Sequence, residues 1–140
     1  MKLFIALAIL MTTLTSNNSH ASENYDKRKA KLVFELDNLV NNIGSDANRS
    51  ANPVLTYCYG AGLMAGQGND AMFLGQALGG LPKDADLDSQ IQSLYSIHTL
   101  VFDMEALCNG RIANLETKDI LSQLKTRMDQ IGMFTHRLDR

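Results

Sequence analysis

A chain of 140 residues with 13 Lys and Arg against 15 Asp and Glu has a formal charge of −2 and room for one domain. That balance argues against a nucleic-acid or anionic-membrane footprint, since the longest basic run is Asp26-Lys27-Arg28-Lys29-Ala30-Lys31. Two cysteines, and beyond residue 21 two histidines, do not make the roughly four-ligand set that zinc needs.

The N-terminus reads as a secretory signal peptide, residues 1–21. Met1-Lys2 is a short positive region, Leu3–Met11 an unbroken apolar run, and Ser19-His20-Ala21 places small residues at −3 and −1 of a cut before Ser22. The run is too short and wrongly flanked for a stable transmembrane helix. The expected destination is the periplasm or the exterior. The remaining domain, residues 22–140, has a formal charge of −3 once Lys2 is gone. In an oxidising compartment, Cys58 and Cys108 read as one disulfide. The chain-entropy account values such a loop at about 4 kcal/mol.

A first helix is expected over Asn24–Ile43. Leu32, Val33, Leu36, Leu39, Val40 and Ile43 recur at helical spacing, and Phe34 falls off that stripe. Gly44 suits the position after a helix end, which leaves Ser45–Asn52 as polar loop. Asn52 then caps a second helix with Pro53 in its first position, continuing through Val54, Leu55, Tyr57, Cys58, Leu63 and Met64. Gln67-Gly68-Asn69-Asp70 reads as a turn and Ala71–Leu78 as a short helix burying Met72, Phe73, Ala77 and Leu78. Gly79-Gly80-Leu81-Pro82 stops it. Asp84, Asp86 and Asp88 fit a helix N-terminus better than a calcium loop, whose glycine and final glutamate are missing. The longest helix, Leu87–Cys108, carries Ile91, Leu94, Ile97, Val101, Met104 and Cys108 on its stripe and ends at Asn109-Gly110. A last helix follows a cap at Thr117 with Ile120, Leu121, Leu124, Met128 and Ile131 inward, and residues 132–140 read as a frayed tail. No segment alternates with a period of two. The fold class is all-α, a single small domain of four to five helices with one disulfide.

The stretch Pro53–Gly80 stands apart, with seven of the ten glycines and one charged residue, Asp70. Glycine inside a helix costs roughly 1 kcal/mol relative to alanine, so the glycines there need a reason. Gly62 and Gly66 are spaced to lie on one helix face. Tight internal helix packing explains that first, and a partner surface second. Tyr57 and Tyr59 flank Cys58 and project differently, one toward the disulfide and one toward the surface. Of Met64, Met72, Met104, Met128 and Met133, four sit at core-like positions. Tyr57, Tyr59, Gly62, Met64 and Gly66 are therefore the candidate partner-binding residues.

Nothing assembles into catalytic machinery. His98 is flanked by apolar residues in mid-helix, His136 lies in the tail, and Asp103 and Glu105 are too close in sequence to face each other on a helix. Cys58 has a cysteine partner, which argues against a free nucleophile. No phosphate loop, lipase-type serine elbow or metalloprotease motif occurs. The expectation is a protein without catalytic residues, cofactor or metal.

Two resemblances follow. Tyr57-Cys58-Tyr59-Gly60-Ala61-Gly62-Leu63-Met64-Ala65-Gly66 resembles the cysteine-plus-glycine helix of small periplasmic immunity proteins against cell-wall amidase toxins, although the later Cys-Pro features of that group are missing here. This resemblance implies a stoichiometric inhibitor that occludes a secreted toxin's cleft. Cys58, Cys108 and the Leu87–Cys108 helix are also similar in layout to the HdeA/HdeB group of acid-stress chaperones. That likeness implies acid-driven loosening that exposes Pro53–Gly80 to unfolding clients, as 15 carboxylates lose charge below about pH 4. The favoured expectation is an exported inhibitor or immunity protein, with the chaperone second and a small-ligand carrier or structural envelope protein third. A homodimer stays open.

Overall fold

The computed structural model describes residues 2–82, 84–110 and 116–139, with side chains from Asn24 onward, residue 117 excepted. The apolar run Leu3–Met11 and the cleavage region at Ala21 lie outside the described side chains. Four helices, α1 (Lys2–Arg49), α2 (Pro53–Leu78), α3 (Ala85–Cys108) and α4 (Thr117–Leu138), make up the described chain. They pack as a ring in which α1 meets α2, α2 meets α3, α3 meets α4 and α4 returns to α1. Each is antiparallel to its neighbours, the up-down arrangement that short connections favour.

Leu36, Met64, Leu74, Leu94, Ile97, Val101, Met104, Leu124 and Ile131 are fully buried along the bundle axis. At roughly 1.5–3 kcal/mol for each large apolar side chain, that core supplies the main driving force. Cys58, near the start of α2, is bonded to Cys108 at the end of α3, with 5.5 Å between their Cα atoms. The bridge pins the two helices at one end of the bundle.

The ends of the elements follow their chemistry. The Asn52 side chain accepts a hydrogen bond from the Leu55 backbone N–H at 3.2 Å, with Pro53 next in line. Asp84 does the same for Leu87 at 2.8 Å, so α3 starts at Ala85, two residues before the apolar pattern suggests. Asp86 and Asp88 then sit in its first turn, where the helix dipole favours acids. Gly110, with φ of +68°, turns the chain out of α3. At α4 the cap position is Glu116 rather than Thr117, and its side chain makes no capping bond.

Three expectations are corrected. Gly44 does not end α1, which runs on to Arg49 because Ala47, 3 % exposed, is still needed in the core. Gln67-Gly68-Asn69-Asp70 is no turn. α2 passes straight through it, since Met64, Gly68 and Ala71 are all buried and hold successive turns against the bundle. Residues 132–138 are not frayed either. Thr135 and Leu138 are buried, and the Thr135 hydroxyl donates to the Ile131 carbonyl at 2.7 Å, removing its need for water.

Candidate partner-binding face

Helix α2 has two sides that use glycine in opposite ways. On the inner side, a Cβ on Gly60 would lie 2.6–2.7 Å from three side-chain atoms of Ile43, and one on Gly68 would lie 3.3 Å from Val101 Cβ and Cγ1. A Cβ on Gly75 would lie 3.4–3.5 Å from the Tyr95 ring and Leu94, in ordinary contact. These glycines are where α1 and α3 come close to the α2 backbone. His98 strengthens the same seam, its Nδ1 lying 3.1 Å from the Gly68 carbonyl oxygen and its ring 4.6 Å from that of Phe102. Gln67 donates to Glu35 Oε2 at 3.4 Å across the α1 side.

On the outer side, Gly62 and Gly66 have no atom within 4 Å of where a Cβ would stand. Tight internal packing, the first explanation of their spacing, therefore applies to Gly60, Gly68 and Gly75 and not to this pair. Around Gly62 and Gly66 stand Leu55, Tyr59, Leu63 and Phe73, exposed to 65, 71, 48 and 53 %. At 100° per residue, Leu55, Tyr59, Gly62, Gly66 and Phe73 fall on one stripe, with Leu63 at its margin. An all-round apolar helix is normally buried all round. This one is not.

The five candidate residues therefore separate. Tyr59, Gly62 and Gly66 share the outer stripe, whereas Tyr57 and Met64 point into the core. Tyr57 is 5 % exposed, and its phenol is pushed above its ordinary value of 10.0, first by burial and then by the charge of Asp129 on α4. Leu55, Leu63 and Phe73 complete the face. Phe73, expected to be buried, is turned outward because α2 does not break at residues 67–70. A helix phase carried unbroken from Leu55 would have placed it there.

Elsewhere the outer surface carries charges, with Asp26, Lys27, Arg28, Lys31 and Asp37 exposed on α1 and Lys118, Asp119, Lys125, Asp129 and Arg137 on α4, although Phe34 on α1, Tyr95 and Phe102 on α3 and Met133 on α4 are exposed too. At one end of the stripe, Leu55, Thr56 and Tyr59 line an open groove of about 500 Å³ with Asp46 and Ser50. A second groove of about 320 Å³ between α3 and α4 is lined by Tyr95, Ser96, Thr99, Leu100, Gln130 and Phe134. Among the described residues, no group of three or more His, Cys, Asp or Glu side chains gathers to hold a metal, and no helix is long and apolar enough to cross a membrane. His136 is exposed in the last turn of α4, far in sequence from His98 and unconnected to it by any hydrogen bond. Comparison with protein-family models, with curated proteins and with solved structures finds no match to this chain.

Proposed function

We propose that this is an exported protein that acts by binding another protein through the outer face of α2, with no chemistry of its own. The observation that supports the reading is the charge pattern. In 26 residues α2 carries one charge, Asp70, and it leaves Leu55, Tyr59, Leu63 and Phe73 in water while the outer faces of α1 and α4 are studded with charges. Exposed aromatic and aliphatic side chains grouped on a rigid element are what a docking surface presents. A convex helix of this kind fits a cleft in the partner, in the helix-in-groove mode. Stoichiometric occlusion of a secreted enzyme's cleft, the immunity-protein role, is the form of binding that this shape favours.

The test is an affinity capture from periplasmic and culture-medium extracts with the oxidised mature domain, alongside its Tyr59→Lys variant. Tyr59 is largely solvent-exposed, so the variant keeps the fold. One stoichiometric partner held at neutral pH by the parent and lost by the variant supports the reading. A partner held equally by both places binding elsewhere, and many clients caught only near pH 3 turn the function to an acid chaperone.

A further inference from the structure

Outward from Met64, the exposed face of α2 sets glycine against glycine and one large apolar side chain against another, with Tyr59 and Leu63 unmatched. Gly62 and Gly66 lie two residues to either side, Tyr59 and Asn69 five, and Leu55 and Phe73 nine. All six are exposed in the described chain. We infer that a second copy of this chain covers the face, through an antiparallel α2–α2 pair whose two-fold axis passes at the level of Met64. This rests on the reading of the face as a docking surface, and it names what occupies that surface when no other partner is present.

Two-fold pairing requires one patch to complement itself. Here the large apolar groups at the ends meet each other, Leu55 of one copy against Phe73 of the other. The centre, Gly62 and Gly66, has no side chain to hold the backbones apart. Tyr59 comes beside Asn69 and Asp70 of the second copy, which offer its hydroxyl polar partners. Charge decides the direction. In a parallel pair Asp70 would face Asp70. In the antiparallel pair the two lie about 18 Å apart along the helix at 1.5 Å per residue, beyond the ~8 Å screening length. The chain is net negative, and this nearly uncharged face is where two copies meet with least repulsion.

Area fits as well. Leu55, Tyr59, Leu63 and Phe73 at their observed exposures offer on the order of 400–500 Å². A stable complex buries about 800 Å² per partner, and the intervening polar and glycine positions supply much of the remainder. The pair should therefore be reversible, with a heterologous partner competing for the same face.

The test is sedimentation equilibrium of the oxidised mature domain across micromolar to near-millimolar concentrations, for the parent, Leu55→Lys, Phe73→Glu and the double variant. The expected result is a monomer–dimer equilibrium weakened at least tenfold by each single substitution. The double variant should dimerise more tightly than either single one, because the introduced lysine of one copy then meets the introduced glutamate of the other. Independent effects would make it the weakest of the three. A parent that stays monomeric throughout, or a double variant that is the weakest, overturns the antiparallel pair. A monomeric parent whose captured partner is still lost on Tyr59→Lys sinks this inference alone. A dimer whose captured partner is unaffected by Tyr59→Lys sinks the proposed partner site and leaves the pair standing.

Discussion

Gly60 and Gly62 are two residues apart on one helix, yet alanine would meet opposite surroundings at each. At Gly60 the new methyl runs into the Ile43 side chain, which is itself packed in the core. Overpacking of this kind costs about 1–3 kcal/mol, against a helix-propensity gain of about 1 kcal/mol. Gly60→Ala is therefore expected to lower the unfolding free energy by about 1 kcal/mol in urea titration. Gly62→Ala and Gly66→Ala meet nothing within 4 Å and collect the propensity gain alone. Each should raise stability by up to about 1 kcal/mol when the protein is dilute enough to be monomeric. Equal effects at Gly60 and Gly62 would mean that the two sides of α2 are not as described. Tyr57 gives a second test at this scale. Its folded-state pKa lies above the unfolded value of 10.0, so the stability tied to its neutral phenol is complete below pH 10 and is lost as pH climbs from there through the folded value. Tyr57→Phe should make the alkaline fall in stability shallower. An unchanged slope would show that burial and Asp129 do not act on this phenol.

Helix α2 is the element that touches all three others, and it is also the one with an uncovered apolar face. Its hold on α3 comes from Gly68 against Val101, the His98 bond to the Gly68 carbonyl, and the Cys58–Cys108 bridge. The bridge closes a loop of about 50 residues, and removing such a link commonly costs 2–5 kcal/mol. Replacing both cysteines by serine should lower the melting temperature by about 10 °C or more. The same substitutions leave Leu55, Tyr59 and Phe73 in place, so binding measured well below the new midpoint should persist. Lost binding with a folded domain would assign the bridge a part in shaping the face. The expectation of a broken α2 failed for an element-scale reason. Gly68, Asn69 and Asp70 have turn propensity, but about 1 kcal/mol at Gly68 and somewhat less at each of the other two do not outweigh burial of Met64, Gly68, Ala71 and Leu74 on consecutive turns.

For the whole molecule, the two ion pairs among the described residues are Lys31–Glu35 within α1 and Lys118–Glu116 at the start of α4. Neither ties one helix to another, and the half-buried Glu35 adds only one contact between helices, accepting from Gln67 at 3.4 Å. Acid therefore removes little that holds the bundle together, and it acts mainly through the general repulsion of a chain turned cationic. Helicity and tyrosine near-UV signals are expected to persist to about pH 4, with no rise in binding of an apolar dye. Dye binding with retained helicity at that pH would be the mark of a loosened, chaperone-like state. The core of the bundle is closed, and the apolar face of α2 lies outside it.

Much of this was legible in the sequence. Helical periodicity gave the all-α class, Asn52-Pro53 and Asn109-Gly110 marked ends of α2 and α3, and two cysteines in one chain gave the bridge. Each of these depends on local backbone preference or on simple pairing, which the order of residues contains. The side that each glycine faces does not. Gly60, Gly62, Gly66 and Gly68 look alike in a string of letters, and the same holds for Tyr57 and Tyr59, Phe73 and Met72. Which of them meets Ile43 or Val101 and which meets water follows from the phase of one unbroken 26-residue helix set against its neighbours. That phase is settled by packing over distances that no local pattern reaches, and so the exposed apolar stripe of α2 emerged only with the tertiary structure.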